Sequence, residues 1–475
     1  MTPGRLDPAF VQEIISVVGR EHCTTDETDL ILNAHDASPL SEAKIRAGVR
    51  LPLADMIVFP ATTEEVSGVL RLADRHRVPI VPVGGGAGTC GGTAPIYGGI
   101  QLDLKRMNRI IHIDDESMTV RVQAGVVGID LEEAVNRRGY TTGHTPTSLR
   151  ASNVGGFIAT RSGGSMSSLY GKIEDLTLGL QVVIPDGRVI ECKPVPRHSV
   201  GPDLRQLFIG SEGTLGVITE ATLKLFPIPE ERRFRSMCFR DVHTGLAAIR
   251  EIFRRGIFPS VVRLYDPEDT AFSMSSHFDI REGDCMLLLA FDGFREKVDL
   301  EEKTAAQICM AHGAIDYGEG PAKRWWEHRY DMYYPTPLTT SGYAIGDTID
   351  IVATYDRLER VYHAMKHVME DNDAFVMSHF SHMYPHGGSI YMIFFTSQPT
   401  AEAAWATYKK IWDEGVAACL REGGTMSHQH GVGLVRSSYT ADELGSGFEV
   451  LRMIKQVLDP NGIMNPGKLG LGVRS

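Results

Sequence analysis

The sequence predicts an α+β protein with two domains, and three observations support this fold class. Its 475 residues are enough for two to four domains that each bury a core. Helical and strand patterns are mixed in two long stretches, separated by a proline-containing segment at residues 226–230 that we interpret as a linker. The 49 glycines make up about 10% of the chain, where an average chain has roughly 7%, and they cluster in the first stretch.

The first stretch contains two predicted helices and several short strands. A helix at 63–76 has a threonine to cap it and apolar residues at helical spacing. A helix at 131–138 is expected to begin with a capping box of Asp130 and Glu133 and to end before Gly139. Alternating or β-branched runs predict strands at 78–83, 100–104, 119–124 and 217–225.

The second stretch repeats a strand, helix, strand pattern. This repetition predicts an antiparallel sheet covered by helices. An aromatic-rich segment at 322–337 breaks the pattern. The predicted strands are 232–239, 286–291, 347–354 and 389–395, and the predicted helices are 246–255, 357–371 and 401–422.

Composition and charge exclude several classes of protein. With 43% hydrophobic and 23% charged residues, the chain is neither disordered nor a coiled coil. Its net charge of −12 argues against nucleic acid or an anionic membrane as a partner. The seven cysteines are scattered, without a CxxC pair, which fits a reducing compartment. We see no sorting signal and no transmembrane segment, so we expect a cytoplasmic protein.

The densest glycine cluster directly follows the predicted strand at 78–83. It contains a formal G-x-G-x-x-G at Gly86, Gly88 and Gly91. We reject a Rossmann interpretation, because the segment that follows cannot start the helix that holds a pyrophosphate in that fold. A loop remains that can adopt positive φ angles and direct successive N–H groups at one anion. From this segment alone, a glycine-rich surface turn is equally acceptable.

Two further segments favour a bound polar ligand. Residues 148–163 are mostly small or hydroxylated, so they offer many hydrogen-bond donors and little bulk. Residues 210–219 form a glycine-punctuated turn that leads into a strand. Together with the first loop, such segments suit a long polar ligand that lies across exposed backbone.

Four motifs carry a family resemblance: P-x-G-G-G at Pro82–Gly86, S-N-V-G-G at Ser152–Gly156, I-E-D-L at Ile173–Leu176, and G-S-E-G-T-L-G-V-I-T at Gly210–Thr219. They resemble the FAD-binding domain of the vanillyl-alcohol-oxidase/p-cresol-methylhydroxylase (PCMH) superfamily. The resemblance covers about residues 50–475. It implies a two-domain flavoprotein, with a PCMH-type FAD-binding domain and an antiparallel-sheet α/β cap domain that binds the substrate.

This resemblance gives the predicted domain boundaries. Residues 1–50 form an N-terminal helical segment and residues 51–230 the FAD-binding domain. Residues 231–420 form the cap domain, and residues 421–475 a C-terminal segment that returns to the FAD-binding domain.

Within the superfamily, the sequence most resembles the alkyl-dihydroxyacetonephosphate synthases, for example at Thr142–Pro146, Tyr170–Leu176 and Ser260–Leu264. Some superfamily members attach the flavin to a histidine in the first loop, but Ala87 and its neighbours offer none, so we expect non-covalent FAD. The resemblance implies a set of FAD-binding residues: Pro82, Gly84, Gly85, Gly86, Ala87, Gly88, Thr147, Ser148, Ser152, Asn153, Gly155, Gly156, Thr160, Arg161, Ser162, Gly163, Glu212, Gly213, Gly216, Val217 and Ile218.

The candidate catalytic residues must orient a substrate at the flavin N5 edge and move a proton. Tyr391 matches the synthase tyrosine that donates and accepts the proton, although an aromatic residue in a strand is commonly part of the core. His428, Gln429 and His430 stand where the synthases have three histidines. Glutamine forms hydrogen bonds but carries no proton at neutral pH. His144 matches a further active-site histidine of the synthases.

The candidate substrate-binding residues are Arg263, Arg329, Tyr384 and His386. Arg263 matches an arginine that is important in the synthases, and an ordinary ion pair is the alternative. Arg329 follows two tryptophans and could clamp a carboxylate or a phosphate. Residues 333–343, just beyond it, look inserted relative to the family.

Three classes of function follow. The first is an oxidoreductase that takes a hydride from an alcohol or hydroxylated carbon of an apolar or aromatic small molecule, with Tyr391 or His430 as base. The second is an ether-lipid synthase that uses a flavin N5 adduct, with no net redox change. The third, a non-catalytic flavin protein, is disfavoured by the intact loops. Gln429 leads us to favour the first class over the second.

A metal-dependent 2-hydroxy-acid dehydrogenase is disfavoured. The related lactate and glycolate enzymes carry H-x-G-D-G-N-x-H and E-H-G patterns, and here Tyr391 replaces the last histidine and Gln429 the glutamate. A tyrosine and an amide cannot form that site, so we expect no metal. The expected partners are a small-molecule substrate, an electron acceptor that is oxygen or a carrier, and a second copy of the chain in a homodimer.

Overall fold

The computed structural model describes residues 6–331 and 343–472. The segment read as an insertion, residues 333–343, falls almost wholly outside them. The strands of the described residues are, in chain order, β1 (Cys23–Thr24), β2 (Met56–Val58), β3 (Ile80–Val83), β4 (Ile100–Asp103), β5 (Ile110–Asp114), β6 (Thr119–Gln123), β7 (Tyr140–Thr141), β8 (Thr177–Val183), β9 (Val189–Cys192), β10 (Val217–Lys224), β11 (Phe226–Pro227), β12 (Glu231–Phe239), β13 (Val261–Tyr265), β14 (Cys285–Gly293), β15 (Ile315–Gly318), β16 (Tyr343–Thr354), β17 (Phe375–Tyr384) and β18 (Gly387–Gln398).

The α-helices of the same residues are α1 (Pro8–Val18), α2 (Glu27–Leu32), α3 (Pro39–Arg46), α4 (Thr63–His76), α5 (Gly128–Asn136), α6 (Val154–Thr160), α7 (Ser167–Tyr170), α8 (Ile173–Leu176), α9 (Arg205–Phe208), α10 (Val242–Arg254), α11 (Pro267–Met274), α12 (Arg295–Ala311), α13 (Gly320–His328), α14 (Tyr355–Glu370), α15 (Ala401–Arg421), α16 (Thr440–Leu444) and α17 (Gly447–Leu458). Short 3₁₀ helices lie at Arg20–His22, Leu104–Arg106 and Ser437–Tyr439.

Two sheets build the first half of the molecule. One has the strand order β1-β2-β4-β3, with β2, β4 and β3 parallel to one another. The other is antiparallel, in the order β5-β6-β10-β8-β9. Buried apolar side chains of both sheets and of α4 form one core. Helix α4 begins and ends where the sequence predicts, with Thr62 accepting a hydrogen bond from the Glu65 N–H as its N-cap.

The predicted start of the second helix is wrong. Helix α5 begins at Gly128 rather than at 131, and no capping box forms at Asp130. The carbonyl groups of Ser152 and Leu149 accept the N–H groups of Gly128 and Ile129 instead. A neighbouring segment of the fold thus replaces the side-chain cap, which sequence spacing alone cannot reveal.

A seven-stranded antiparallel sheet builds the second half, in the order β15-β12-β14-β13-β17-β18-β16, as predicted. Helices α10, α12, α14 and α15 cover one of its faces. In β18, Ile390, Met392 and Phe394 point into that core, so Tyr391 points to the opposite face, against which α11 and α13 pack. Tyr391 is therefore not a core residue of this domain.

Two details differ from the sequence analysis. The aromatic-rich segment begins as helix α13 rather than as a break in the pattern. The linker segment begins with β11, which pairs with β7 of the first half. The domain boundaries at residues 50, 230 and 420 stay predictions.

The C-terminal segment contacts both halves of the molecule. Thr425 bridges to Val352 of the seven-stranded sheet. Farther along, the Leu434 N–H donates to the carbonyl of Cys90, and the Asn465 N–H donates to that of Ile80. No helix of residues 6–331 and 343–472 is long and apolar enough to cross a membrane.

Candidate active site

The glycine loop after β3 lies packed against the segment that precedes α6. A Cβ atom at Gly85 would overlap the carbonyl oxygen of Ala151, and one at Gly84 would overlap the side chain of Asn153. Gly86, in contrast, has a φ of 68° and faces open space. Gly85 is therefore required by the neighbouring backbone and Gly84 by the neighbouring Asn153 side chain, whereas the positive φ favours glycine at position 86. The loop is not a free surface turn.

The loop keeps its donors available. Within the described ranges, the N–H groups of Gly85, Gly86, Ala87 and Gly88 donate to no protein acceptor. The loop is held through other atoms: the carbonyl of Gly86 accepts the Ala37 N–H, and the carboxylate of Asp36 accepts the Gly92 N–H at 2.9 Å. Successive unpaired N–H groups on a supported loop are what an anion such as a pyrophosphate requires.

The third glycine-rich segment adjoins the first. A Cβ atom at Gly213 would lie 2.9 Å from the ring of Pro82. The carboxylate of Glu212 is buried, which raises its pKa, and it accepts the N–H groups of Val432 at 2.5 Å and Gly433 at 2.7 Å. Glu212 therefore anchors the C-terminal segment beside the loop, rather than pointing its carboxylate at a ligand.

The remaining predicted cofactor residues lie along the same three segments. Ser148 and Ser152 are joined by a hydrogen bond of 2.9 Å, and Thr160 donates to the carbonyl of Gly156. Thr147 and Arg161 are exposed, and the Arg161 guanidinium donates to Gln206. Asn153, Gly155, Ser162, Gly163, Gly216, Val217 and Ile218 are buried.

Buried polar atoms without a partner collect around two glycines of this region. Both ring nitrogens of His144 lack a hydrogen bond in the described part of the chain, as do Nδ1 of His428 and Oε1 of Gln429. A Cβ atom at Gly164 would contact the backbone of His144, and one at Gly163 would contact His428 and Gln429. Burial, followed by Lys172, lowers the pKa of His144 to about 3. Buried groups of this kind normally have partners, so the site fits a polar ligand.

A row of polar side chains crosses the other face of the seven-stranded sheet, against which α11 and α13 pack. Asp350, Tyr391, His379 and Tyr265 are direct cross-strand neighbours on β16, β18, β17 and β13. The His379 ring stacks on Tyr391 at 4.9 Å between centroids and 12° between planes. Directly opposite residues share a face, so the register alone aligns these groups.

Tyr391 is hydrogen-bonded to His430 of the C-terminal segment. The Tyr391 hydroxyl lies 3.0 Å from Nε2 of His430, and Nδ1 of His430 lies 3.3 Å from Asp350. A carboxylate beside Nδ1 favours the tautomer with its proton there, so Nε2 accepts the phenol proton. Burial raises the pKa of Tyr391, and burial lowers the pKa of His430. Both groups are thus neutral, with a hydrogen bond ready to transfer a proton.

Asp350 organises this end of the row. It is fully buried, and one of its oxygens accepts the N–H groups of His428, Gln429 and His430. The other oxygen binds the guanidinium of Arg436, which is also 0% exposed. Burial alone would raise the pKa of Asp350, but Arg436 and His430 hold it well below its usual range. Asp350 therefore stays ionised and holds the histidine loop in place.

A second cluster joins three parts of the chain. Ser167 of α7 lies 2.8 Å from Nδ1 of His382 and 3.2 Å from the Tyr384 hydroxyl, which in turn lies 3.0 Å from Nε2 of His428. His382 occupies a β-bulge with a φ of 50°. A strained residue at a bulge is typical of a functional position.

An aromatic wall with arginines borders the row. The Arg263 guanidinium lies 5.5 Å from the ring of Trp325, and the Arg329 guanidinium lies 3.5 Å from that of Trp326. Arg329 also donates to the carbonyl of Trp326, and burial lowers its pKa. Neither arginine lies in an ion pair within the described ranges.

The structure does not bring every candidate to this place. His386 is exposed at the tip of the hairpin between β17 and β18, where its carbonyl accepts the Tyr355 N–H. We therefore leave His386 out of the proposed substrate site. Within residues 6–331 and 343–472, no group of three or more His, Cys, Asp or Glu side chains is arranged to hold a metal ion.

Five residues of the site were not predicted from the sequence: Asp350, His379, Asp269, Ser167 and Arg436. The sequence contains only a weak indication of a functional role for two of them. Asp350 and His379 are polar residues that alternate with apolar ones in strands. Their neighbours in space come from other strands, and the register is not readable from one sequence.

Two family models match the chain. Residues 54–193 match the FAD binding domain, and residues 228–469 match the C-terminal domain of FAD linked oxidases. The second match alone covers slightly more than half of the chain. The chain belongs to the FAD-linked oxidase family. The protein uses FAD as its cofactor, as the resemblance of its glycine motifs predicts.

Curated relatives of the chain include a synthase and an oxidoreductase. The alkyldihydroxyacetonephosphate synthase of Dictyostelium discoideum is 29% identical, over 98% of this chain and 81% of the synthase. An uncharacterized FAD-linked oxidoreductase of Escherichia coli (strain K12) is 32% identical, over 97% of this chain and 98% of its own length.

Solved structures agree on the fold. An alkyldihydroxyacetonephosphate synthase, 27% identical, superimposes with a TM-score of 0.81 over 98% of this chain and 86% of its own. A p-cresol methylhydroxylase, 18% identical, has a TM-score of 0.78 over 98% of this chain and 96% of its own. The predicted α+β, PCMH-type fold and the superfamily resemblance are confirmed.

Proposed function

We propose that this protein oxidises an alcohol or hydroxylated carbon of a small molecule, with Tyr391 receiving the hydroxyl proton. One observation carries the proposal: the 3.0 Å contact from the Tyr391 hydroxyl to Nε2 of His430, backed by Asp350 3.3 Å from Nδ1. A carboxylate, an imidazole and a hydroxyl group thus lie next to one another in this order, and such an arrangement is suited to moving one proton.

We propose that the three glycine-rich segments hold FAD non-covalently. The N–H groups of residues 85–88 would bind its pyrophosphate, and the unpaired groups of His144, His428 and Gln429 would contact its polar ring atoms. When bound, FAD supplies the acceptor for the hydride that leaves the carbinol carbon.

The proton moves through neutral groups. Tyr391 has a raised pKa, so it is not a phenolate that attacks the substrate proton directly. Its hydroxyl oxygen accepts the substrate proton while its own proton passes to Nε2 of His430. The resulting imidazolium is stabilised by the ionised Asp350. His430 is thus the final base, and Tyr391 the group that meets the substrate.

The wall beside Tyr391 indicates what the substrate carries. Trp325 and Trp326 offer an aromatic surface, as expected for an apolar or aromatic molecule. Arg263 and Arg329 rest against these rings without a carboxylate partner among the described residues, so each can bind an oxyanion of the substrate. We propose a substrate with an apolar or aromatic part and a carboxylate or phosphate near the hydroxyl.

The test uses the purified yellow protein under anaerobic conditions. Candidate alcohols, hydroxy acids and hydroxylated phosphates are added one at a time, and the flavin band at about 450 nm is followed. Bleaching of the band, with formation of the matching carbonyl compound, supports the proposal. If none of these compounds bleaches the flavin while an acyl-dihydroxyacetonephosphate releases a fatty acid, the proposal is wrong.

That second result is the outcome expected of the alternative, an alkyl-dihydroxyacetonephosphate synthase. The similarity to such synthases over 98% of the chain favours it, and the two arginines could bind a phosphate. Gln429 speaks against it, because it replaces a histidine that could carry a proton. The electron acceptor, the homodimer and the cytoplasmic location stay predictions.

A further inference from the structure

Arg263 is held by a buried relay that begins at a carboxylate. Asp269, on α11, accepts a hydrogen bond from Nδ1 of His379 at 2.7 Å, and both side chains are buried. Nε2 of the same ring accepts a hydrogen bond from Nη2 of Arg263 at 2.7 Å. The ring therefore separates the guanidinium from its nearest carboxylate.

The relay leaves Arg263 without a direct carboxylate partner among the described residues. Burial, followed by Arg263 itself, lowers the pKa of His379 to about 4, so the ring is neutral and accepts rather than repels the arginine. Within residues 6–331 and 343–472, Arg263 forms no ion pair and its Nη1 donates to no acceptor. Asp269, by contrast, is shared by His379 and Ser273.

The direction of the guanidinium is fixed at a second point. Nε of Arg263 donates to the hydroxyl of Tyr265 at 2.9 Å, and the guanidinium lies 5.1 Å from that ring. With Nε and Nη2 occupied, Nη1 is the edge left for a ligand. Arg263 is only partly buried, so this edge is reachable.

His379 also ties Arg263 to the reacting group. Its ring stacks on Tyr391 while its nitrogens hold the arginine. The distance from the cation to the Tyr391 ring is thus set by one intervening imidazole. A bare Arg–Asp pair at this place would bind the arginine more strongly, but would cancel the charge that an anion needs.

We propose that Asp269 and His379 are positioning residues that hold Arg263 as an oriented cation without a direct ion pair beside Tyr391, where it binds the oxyanion of the substrate. This deepens the proposed function, since it names the charge that the substrate carries beside its reacting carbon. The anionic group of the substrate is a carboxylate or a phosphate, and the Arg263 guanidinium can bind either.

The experiment measures binding of inorganic phosphate to the FAD-loaded enzyme, from the change in its flavin absorbance and tryptophan fluorescence. Four variants are compared with the parent: Arg263→Gln, His379→Phe, His379→Gln and Arg235→Gln. Phenylalanine keeps the ring stacked on Tyr391 but forms neither hydrogen bond. Glutamine can donate to Asp269 and accept from Arg263. Arg235, paired with Glu302 and Asp316 on the same sheet, is the matched control.

We expect the dissociation constant for phosphate to rise at least tenfold in Arg263→Gln and His379→Phe, and less than threefold in His379→Gln and Arg235→Gln. With a turned-over anionic substrate, His379→Phe should raise KM and leave kcat within about threefold. Equal phosphate binding in His379→Phe and the parent would overturn the relay. Unchanged binding in Arg263→Gln would overturn the oxyanion role.

These failures are separable from failure of the proposed function. The proposed function depends on flavin bleaching that requires Tyr391, whereas phosphate binding is read in the oxidised enzyme without turnover. Loss of phosphate binding in Arg235→Gln as well would show a general charge effect, and would also overturn the proposal.

Discussion

The cofactor side and the substrate side of this site are built from different materials. On the proposed cofactor side, the groups that would bind FAD are backbone N–H groups of a glycine loop, and the glycines allow close approach and positive φ. On the proposed substrate side, the groups that would bind and react are side chains on an antiparallel sheet, aligned by strand register. We therefore expect substitutions to act sterically on the first side and chemically on the second.

Removing the Tyr391 hydroxyl should have the largest effect. We expect Tyr391→Phe to lower kcat by about 10²–10⁴, the usual contribution of a positioned acid or base, with FAD content unchanged. Tyr384→Phe, in the Ser167 cluster, is the matched control and should cost less than about tenfold in kcat by the same criterion. Rapid single-turnover bleaching measures both. Full activity of Tyr391→Phe would return Tyr391 to a structural role.

On the cofactor side, the two kinds of glycine should respond differently. Gly85→Ala places a Cβ atom onto the carbonyl of Ala151, so we expect FAD affinity to fall by about 100-fold or more, equal to roughly 3 kcal/mol. In Gly86→Ala the added Cβ atom faces open space, so the variant is strained only by its positive φ, which costs about 1–2 kcal/mol. Fluorescence titration of apoprotein with FAD measures both. Equal losses would mean that the loop is not packed as described.

The anchor between the two sides should have an intermediate effect. Glu212→Gln keeps one acceptor oxygen for Val432 and Gly433 and loses the charge, so the histidine loop should loosen. We expect kcat to fall about tenfold, as for the loss of one charge-assisted hydrogen bond, and FAD to stay bound. Glu220→Gln, which breaks only a surface pair with Arg121, should change kcat less than about twofold. A larger loss in the control would contradict this role of Glu212.

The pH dependence should show the smallest effect. His430 accepts the proton only when neutral, and burial lowers its pKa below the ordinary 6.5. The acid limb of kcat should therefore lie below pH 6.5, with a flat profile above it. Because Asp350 raises the pKa of His430, Asp350→Asn should move the limb to still lower pH. An acid limb above pH 6.5 would contradict His430 as the proton acceptor.

The contrast between the cofactor side and the substrate side also explains which residues could be predicted from the sequence. Glycine motifs are continuous in the chain, so the loops at 82–88, 148–163 and 210–219 could be recognised one by one. Tyr391 and the residues 428–430 were found through the family resemblance. Asp350 and His379 were missed, because they become partners of Tyr391 only through the pairing of β16, β17 and β18.

Supports of the cofactor loop depend on long-range contacts in the same way. Glu212 was predicted to line the cofactor, and its carboxylate also holds residues 432–433, a contact that was not predicted. Asp36 lies in the N-terminal segment and supports the loop at Gly92, and no role was predicted for it. Long-range contacts of this kind depend on how distant segments meet, which neither propensity nor motif spacing records.

The supports of the glycine loop come from early and late parts of the chain, and this has a consequence for biosynthesis. Asp36 holds Gly92 from one side, while Asn465 binds the carbonyl of Gly92 and the buried Lys468 that of Ala94. The loop itself leaves the ribosome hundreds of residues before Asn465 does. A nascent chain therefore lacks these supports until translation has passed residue 468, and we expect stable cofactor binding only after that point.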